Sequence, residues 1–164
     1  WEDHALWTHD YLIAAIENLP NKDLVAQRLL KNQDDIGAAV AGYYGKEAGD
    51  QLSKLLRDHI LIAAEVVDAA KAGNQAKLKD ADVRWHDNAK DIAKFLSTAN
   101  PNWPENMLID MFNMHLKLTT EEAVARIKKN WAQEIKVYDE VRAQLLDMAK
   151  DLSDGIVKQF PNKF

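Results

Sequence analysis

Residues 46–74 read KEAGDQLSKLLRDHILIAAEVVDAAKAGN. Within them Leu52, Leu55, Leu56, His59, Ile62, Ala63 and Val66 recur at spacings of three and four, the period of one face of a helix. The spacing predicts a single long helix over about Lys46–Ala72. Gly73-Asn74 supplies the stop, because glycine adopts the left-handed backbone of a helix end without a Cβ clash.

The same period continues on both sides. Upstream it predicts a helix over Glu2–Asn18, ended by Leu19-Pro20, and two short helices over Lys22–Leu30 and Gln33–Tyr43, with Gly42 and Gly45 as breakers. Downstream a helix over Gln75–Ala99 is closed by Asn100-Pro101-Asn102-Trp103-Pro104, in which Trp103 reads as a loop anchor. Pro104 suits the first turn of a helix reaching about Leu118. Thr119-Thr120-Glu121-Glu122 reads as a capping box that opens a new helix. That last helix carries Trp131, Ile135, Tyr138, Arg142, Leu145, Ala149, Leu152 and Ile156 on one stripe and runs to about Lys158. Alternation of period two is absent. The expected fold is all-α, an antiparallel bundle in one domain over residues 1–164, with four main helices and two or three short ones.

Composition excludes more than it identifies. Lys plus Arg number 21 against 26 Asp plus Glu, a formal charge of −5, and no basic cluster exceeds Lys128-Lys129. A nucleic-acid partner is therefore not expected. The most apolar run, Ile60 to Val67, is short and interrupted by Glu65, so no transmembrane segment is expected. The absence of cysteine removes thiolate catalysis, disulfides, iron–sulfur clusters and Cys-ligated zinc together.

The histidines are the informative residues. His4 follows the stripe of Trp7, Tyr11 and Ala14, His59 sits at the middle of its apolar stripe, and His115 lies with Leu108, Met111, Phe112 and Leu118. Three helices thus each aim one imidazole at the core. Burying unpaired imidazoles is costly unless they share partners or an ion, and neutral imidazole is the commonest metal ligand. Without cysteine, any such centre must be held by nitrogen and oxygen, which suits zinc or iron. The expected ligands are His4, His59 and His115, with Asp139 as the preferred fourth and Glu65 as the other carboxylate. Glu122 is already engaged if its capping box forms. His9 and His86 stay outside the site, His86 as an exposed residue. Neither Glu-x-x-His nor His-Glu-x-x-His occurs, which disfavours a ferritin-type di-iron centre.

Other signals are weaker. Gly42–Gly49 lacks the spacing and Ser/Thr of a phosphate loop, and Asp80-Ala81-Asp82 diverges around a helix as a solvated face. No nucleotide is expected as cofactor. Asn88 is an amide on a core stripe, expected to bond a neighbouring helix. No serine stands near a histidine in sequence, so nothing marks a nucleophilic enzyme. The segments beginning at His4, His59 and His115 share a bulky apolar residue three on, a small residue four on and a carboxylate six on. So loose a pattern in a helical chain is read as coincidence rather than repetition.

Trp1–Thr8, Arg28–Asn32, Asn100–Pro104, His115–Thr120 and Asp154–Pro161 together resemble a family of small helical proteins of bacteria and methanogenic archaea, over nearly the whole chain. Some of its members carry the names glycosyltransferase or acetylglutamate kinase, which imply α/β folds that this helical pattern does not support. The resemblance implies a signal peptide upstream in some members, and so an extracytoplasmic location. It also implies that positions matching His4, Trp7, His59, Trp85, Asn88 and His115 recur, whereas His9 and His86 depart from its pattern. The functional expectation is a metal-binding bundle with a His-centred site. The alternative is a non-enzymatic structural or interaction bundle with hydrogen-bonded core histidines, serving a protein partner or a homo-oligomer.

Overall fold

The computed structural model describes residues 1–164 as six α-helices: α1 (Glu2–Ile16), α2 (Lys22–Tyr44), α3 (Lys46–Lys71), α4 (Gln75–Ala99), α5 (Glu105–Ile127) and α6 (Trp131–Gln159). A 3-10 turn at Pro161–Lys163 ends the chain, and there is no strand. The all-α expectation holds, but the division into helices changes. Residues 22–44 form one helix, because Asn32 and Gln33 are buried in its path and nothing there breaks it. Thr119-Thr120-Glu121-Glu122 lies inside α5 rather than opening a helix. Thr119 is buried and Glu122 is engaged by another helix, so neither is available to cap. The break falls at Lys128-Lys129-Asn130, where Lys129 takes a left-handed φ of 56° and the Asn130 side chain accepts from the Gln133 amide. Five helices of 23–29 residues and one of 15 replace the expected four long and several short.

The three histidine segments are repeats of one hairpin. α1, α3 and α5 end at Ile16, Lys71 and Ile127, each twelve residues past His4, His59 or His115. Two residues further on, Asn18, Gly73 and Lys129 have φ of 56°, 66° and 56°. The next amides, of Leu19, Asn74 and Asn130, donate to the carbonyls of Ala14, Ala69 and Ala125 at 2.9–3.0 Å. This is the six-to-one bond of a Schellman turn, made three times in one register. The buried positions repeat too: Ala5, Ile60 and Leu116 directly after the histidine, and Leu12, Val67 and Ala123 eight after it. On the second helix of each hairpin Asn32, Asn88 and Gln144 are each followed by Asp three on and Ile or Met four on. The coincidence reading of the sequence is therefore replaced by a threefold repeat of about 55 residues.

The hairpins close into a ring. α1, α3 and α5 touch one another at the centre, while α2 packs against α1 and α3, α4 against α3 and α5, and α6 against α5 and α1. The core runs through the middle, from Leu52, Leu56 and Ile92 to Phe112, Leu116 and Leu145. The register of α6 differs from the expected stripe. Glu134, Val137, Val141, Leu145, Met148, Leu152 and Gly155 face inward, whereas Trp131 and Ile135 are exposed.

Two close approaches fix the packing. Where α2 crosses α3, a Cβ on Gly49 would lie 2.5 Å from the Gly37 carbonyl and 2.6 Å from the Ala41 methyl. Backbone cannot yield there, so the helices must part. Gly49→Ala is expected to cost about 1–3 kcal/mol in urea denaturation; an unchanged midpoint would show that the crossing is looser than this. The α4–α5 loop is the second anchor. Trp103 is buried against Gly155 of α6, and Asn100, also buried, donates to the Tyr44 hydroxyl at 2.9 Å and accepts from the Asn102 amide at 2.8 Å. Tyr44 in turn donates to Gln159 at 2.7 Å, tying the C-terminal ends of α2 and α6. The loop-anchor expectation for Trp103 matches this position.

Candidate functional site: a core cluster of imidazoles

His4, His59 and His115 project from the three inner helices into the same region. Their rings are buried to 3%, 3% and 4% exposure, with centroids 5.7 Å apart for His4–His115 and 6.3 Å for His59–His115. Trp1 packs edge-on against His4, and Trp85 and Phe112 flank His59. The three imidazoles expected to face the core thus lie in one cluster, with His115 in the middle.

Each ring meets an amide from the second helix of its own hairpin. The His59 Nδ1–H donates to Asn88 Oδ1 at 2.6 Å, while Asn88 Nδ2 donates to the Leu55 carbonyl at 3.1 Å. Because the amide oxygen must be the acceptor, the tautomer follows, and Nε2 of His59 carries a bare lone pair. Gln33 Nε2 donates to the Leu29 carbonyl at 2.9 Å and stands 3.3 Å from His4 Nδ1. Gln144 donates to the Met111 carbonyl at 3.1 Å and lies beside His115. Asn88 bonds a neighbouring helix as its sequence position suggests. His59 Nε2 and His115 Nδ1 have no partner within the protein.

Burial keeps all three rings neutral. It holds His4 well below the usual imidazole range, with the neighbouring His115 and His59 acting the same way. It pushes His59 down to about 4 against the opposing pull of the Asn88 bond, and His115 to about 3, where His59 adds and the Gln144 contact opposes.

The carboxylates named from sequence are not at the cluster. Asp139 is exposed on α6, on the side turned outward by the shift in register, and exposed Glu65 pairs with Arg84 at 2.5 Å. No three His, Asp or Glu side chains stand close enough together to hold an ion. His86 is partly exposed beside Asp82.

A second polar constellation lies where α1, α5 and α6 meet, and sequence reading set its histidine aside. The His9 Nδ1–H donates to Glu122 Oε1 at 2.6 Å, and Tyr138 stacks on the His9 ring at 4.1 Å. Nearby, buried Glu134 accepts from Arg126 at 3.0 and 3.2 Å, and Arg126 also reaches Glu17 at 3.2 Å and covers the Trp131 ring. Burial lifts the Glu122 carboxyl above its ordinary range, with His9 opposing. Burial alone would lower His9, but the Glu122 bond and charge outweigh it and raise the imidazole. Glu122 occupies the repeat position held by Tyr11 and Val66 in the other hairpins, so a carboxylate has replaced a side chain of another kind at an inward site. That break in the repeat was the available signal.

Set against known proteins, the chain matches no family model, no curated protein and no solved structure.

Proposed function

We propose that the bundle binds one transition-metal ion, zinc or iron, at the cluster of His4, His59 and His115. The observation that carries this reading is the pair of unpartnered ring nitrogens, His59 Nε2 and His115 Nδ1, inside a closed core of neutral imidazoles. Neutral imidazole is the ligand form, and the Asn88 oxygen that holds His59 from its Nδ1 side can take the part that a carboxylate, backbone carbonyl or water takes behind a metal-bound histidine. Three imidazoles leave a position for water, so the proposed shell does not need the exposed Asp139 or Glu65. The rings must close on the ion, since they do not converge without it.

The test is metal content of untagged protein, with cobalt(II) absorption as a second readout. The expected result is about one equivalent per chain, lost in His59→Ala, together with a melting temperature that falls on chelation. Metal well below one equivalent after incubation with zinc or iron removes the proposal. The 2.6 Å His59–Asn88 bond and the distance between the remaining donors favour a second reading. In it the bundle is a non-enzymatic structural or interaction protein whose imidazoles serve only to bond the hairpins internally, and a chelator changes nothing.

A further inference from the structure

A narrow cavity of about 80 Å³ lies among the C-terminal parts of α1, α3 and α5, with the first half of α4 as a further wall. It adjoins the imidazole cluster. Thr8 and Thr119, one helical turn past His4 and His115, line it, as does Trp85, whose ring also flanks His59.

The repeat accounts for the space. Four residues past the histidines stand Thr8, Ala63 and Thr119, and eight past them Leu12, Val67 and Ala123. All six line the cavity, and Ala63 and Ala123 are the smallest members of their sets. The ring is thus underfilled at two neighbouring levels, on the α3 and α5 sides.

Polar atoms without partners surround this space. Thr8, Thr119 and Trp85 are 8%, 5% and 3% exposed, and Thr8 Oγ1, Thr119 Oγ1 and Trp85 Nε1 have no partner within the protein. A helical threonine or serine ordinarily bonds back to the carbonyl four residues earlier, as Thr98 and Ser153 do at 2.7 Å. Thr8 and Thr119 leave the His4 and His115 carbonyls alone. Three such groups around one small apolar space are costly unless something within it bonds them. An indole N–H only donates, whereas a hydroxyl both donates and accepts, so the matching group is an oxygen that accepts from Trp85 and shares a hydrogen bond with a threonine.

Charge and size narrow the ligand further. No side chain lining the cavity is charged at neutral pH, and an unpaired ion buried there would be costly, so the ligand is neutral. The volume is roughly half of the ~150 Å³ that admits benzene, which leaves room for about three or four non-hydrogen atoms. Leu78, Thr120 and Val124, half-buried or exposed, mark the way in from solvent.

We propose that this cavity is a binding site for a short-chain alcohol of about two or three carbons, its hydroxyl bonded by Trp85 Nε1 and a threonine and its alkyl end lying against Ala63 and Ala123. The site does not need an ion at the imidazoles, so it stands or falls apart from the metal reading.

The test titrates n-propanol into chelator-treated, metal-free protein and follows the Trp85 indole N–H and the Thr8 and Thr119 methyl groups by nuclear magnetic resonance, with xenon as an apolar probe of the same space. Saturable shifts of all three groups are expected, with a Kd on the order of millimolar for a ligand of about four non-hydrogen atoms. Ala123→Leu places in the cavity the side chain that Leu12 has in the first copy. It should abolish the response to both probes while the urea midpoint stays at or above that of the wild type. Thr8→Val with Thr119→Val removes both hydroxyls, keeps their shape and tests the site independently should Ala123→Leu lose stability. In that double variant n-propanol should bind about fivefold to tenfold more weakly and xenon as before. Absent or non-saturating shifts overturn the proposal, as do propanol shifts that persist in Ala123→Leu. Unchanged propanol affinity in the valine variant, or an equal loss for propanol and xenon, overturns it as well. Water signals at these groups that survive saturating propanol show a hydration site only and overturn it equally.

Discussion

Trp103→Ala is expected to cost about 3–5 kcal/mol, because a fully buried indole is lost from a site that cannot collapse around the gap. The ring has contacts on several sides: Gly155 of α6, the Tyr44 ring at 5.7 Å, and the loop held by Asn100. The complementary change works in the opposite geometric sense. A Cβ at Gly155 would stand 2.5 Å from Cδ1 and 2.8 Å from Cε2 of the indole, so Gly155→Ala overpacks the same space and should cost about 1–3 kcal/mol. Together the two changes should be strongly non-additive, since alanine at position 155 has nothing to strike once the indole is gone. Urea midpoints of the two single variants and the double variant decide this. Additive losses would mean that Gly155 matters for a reason other than room for Trp103.

Acidification should destabilise the metal-free protein on the order of several kcal/mol between about pH 7 and pH 4. His4, His59 and His115 have folded pKa values below the usual 6.5, so under that pH the unfolded chain binds protons that the folded chain refuses. Stability therefore falls as pH falls, over a window from about 6.5 to about 4 for His59 and on to about 3 for His115. His9 has the opposite sign. Its raised value means that its contribution is complete below about 6.5 and fades as pH rises through the folded value. Glu122, lifted by burial, likewise favours the folded state on acidification. Three buried rings against one buried pair set the net direction. His59→Leu should flatten the urea-midpoint profile over this range, and a wild-type profile already flat between about pH 7 and pH 4.5 would mean that the rings are not buried as neutral bases.

The parts of this fold written in local chemistry were legible in sequence. α3 and α4 begin and end within a residue of their expected limits because Gly73, Asn74 and the prolines at 101 and 104 act on their immediate neighbours. The capping box failed for the converse reason. Thr119 and Glu122 have the right spacing, but a buried environment supplied by α1 claims them, and the real stop, Lys129 in a left-handed conformation, carries no residue-type signal. The site divides in the same way. Helical phase placed His4, His59 and His115 inward, whereas Asp139 depended on the phase of α6. There buried Glu134, bonded to Arg126, turns the inward face away from Trp131 and Ile135. His9 meets Glu122 across 113 residues of chain, a pairing no local pattern predicts. The repeat itself was faint in sequence because the three copies share helix phase and turn geometry far more than residue identity.

Ring closure also orders events during synthesis. Among the six helices α1 leaves the ribosome before the others, yet its neighbours α5 and α6 follow the rest, and Glu122 and Arg142, the partners of His9 and Glu2, lie in those two helices. The first hairpin can form its turn early, but it must wait with part of its apolar and ionisable surface bare until α5 and α6 are available. The nascent chain thus passes through a period of vulnerability to proteases and to association with other chains. That period ends not with any one hairpin but with the docking of α6 onto α1.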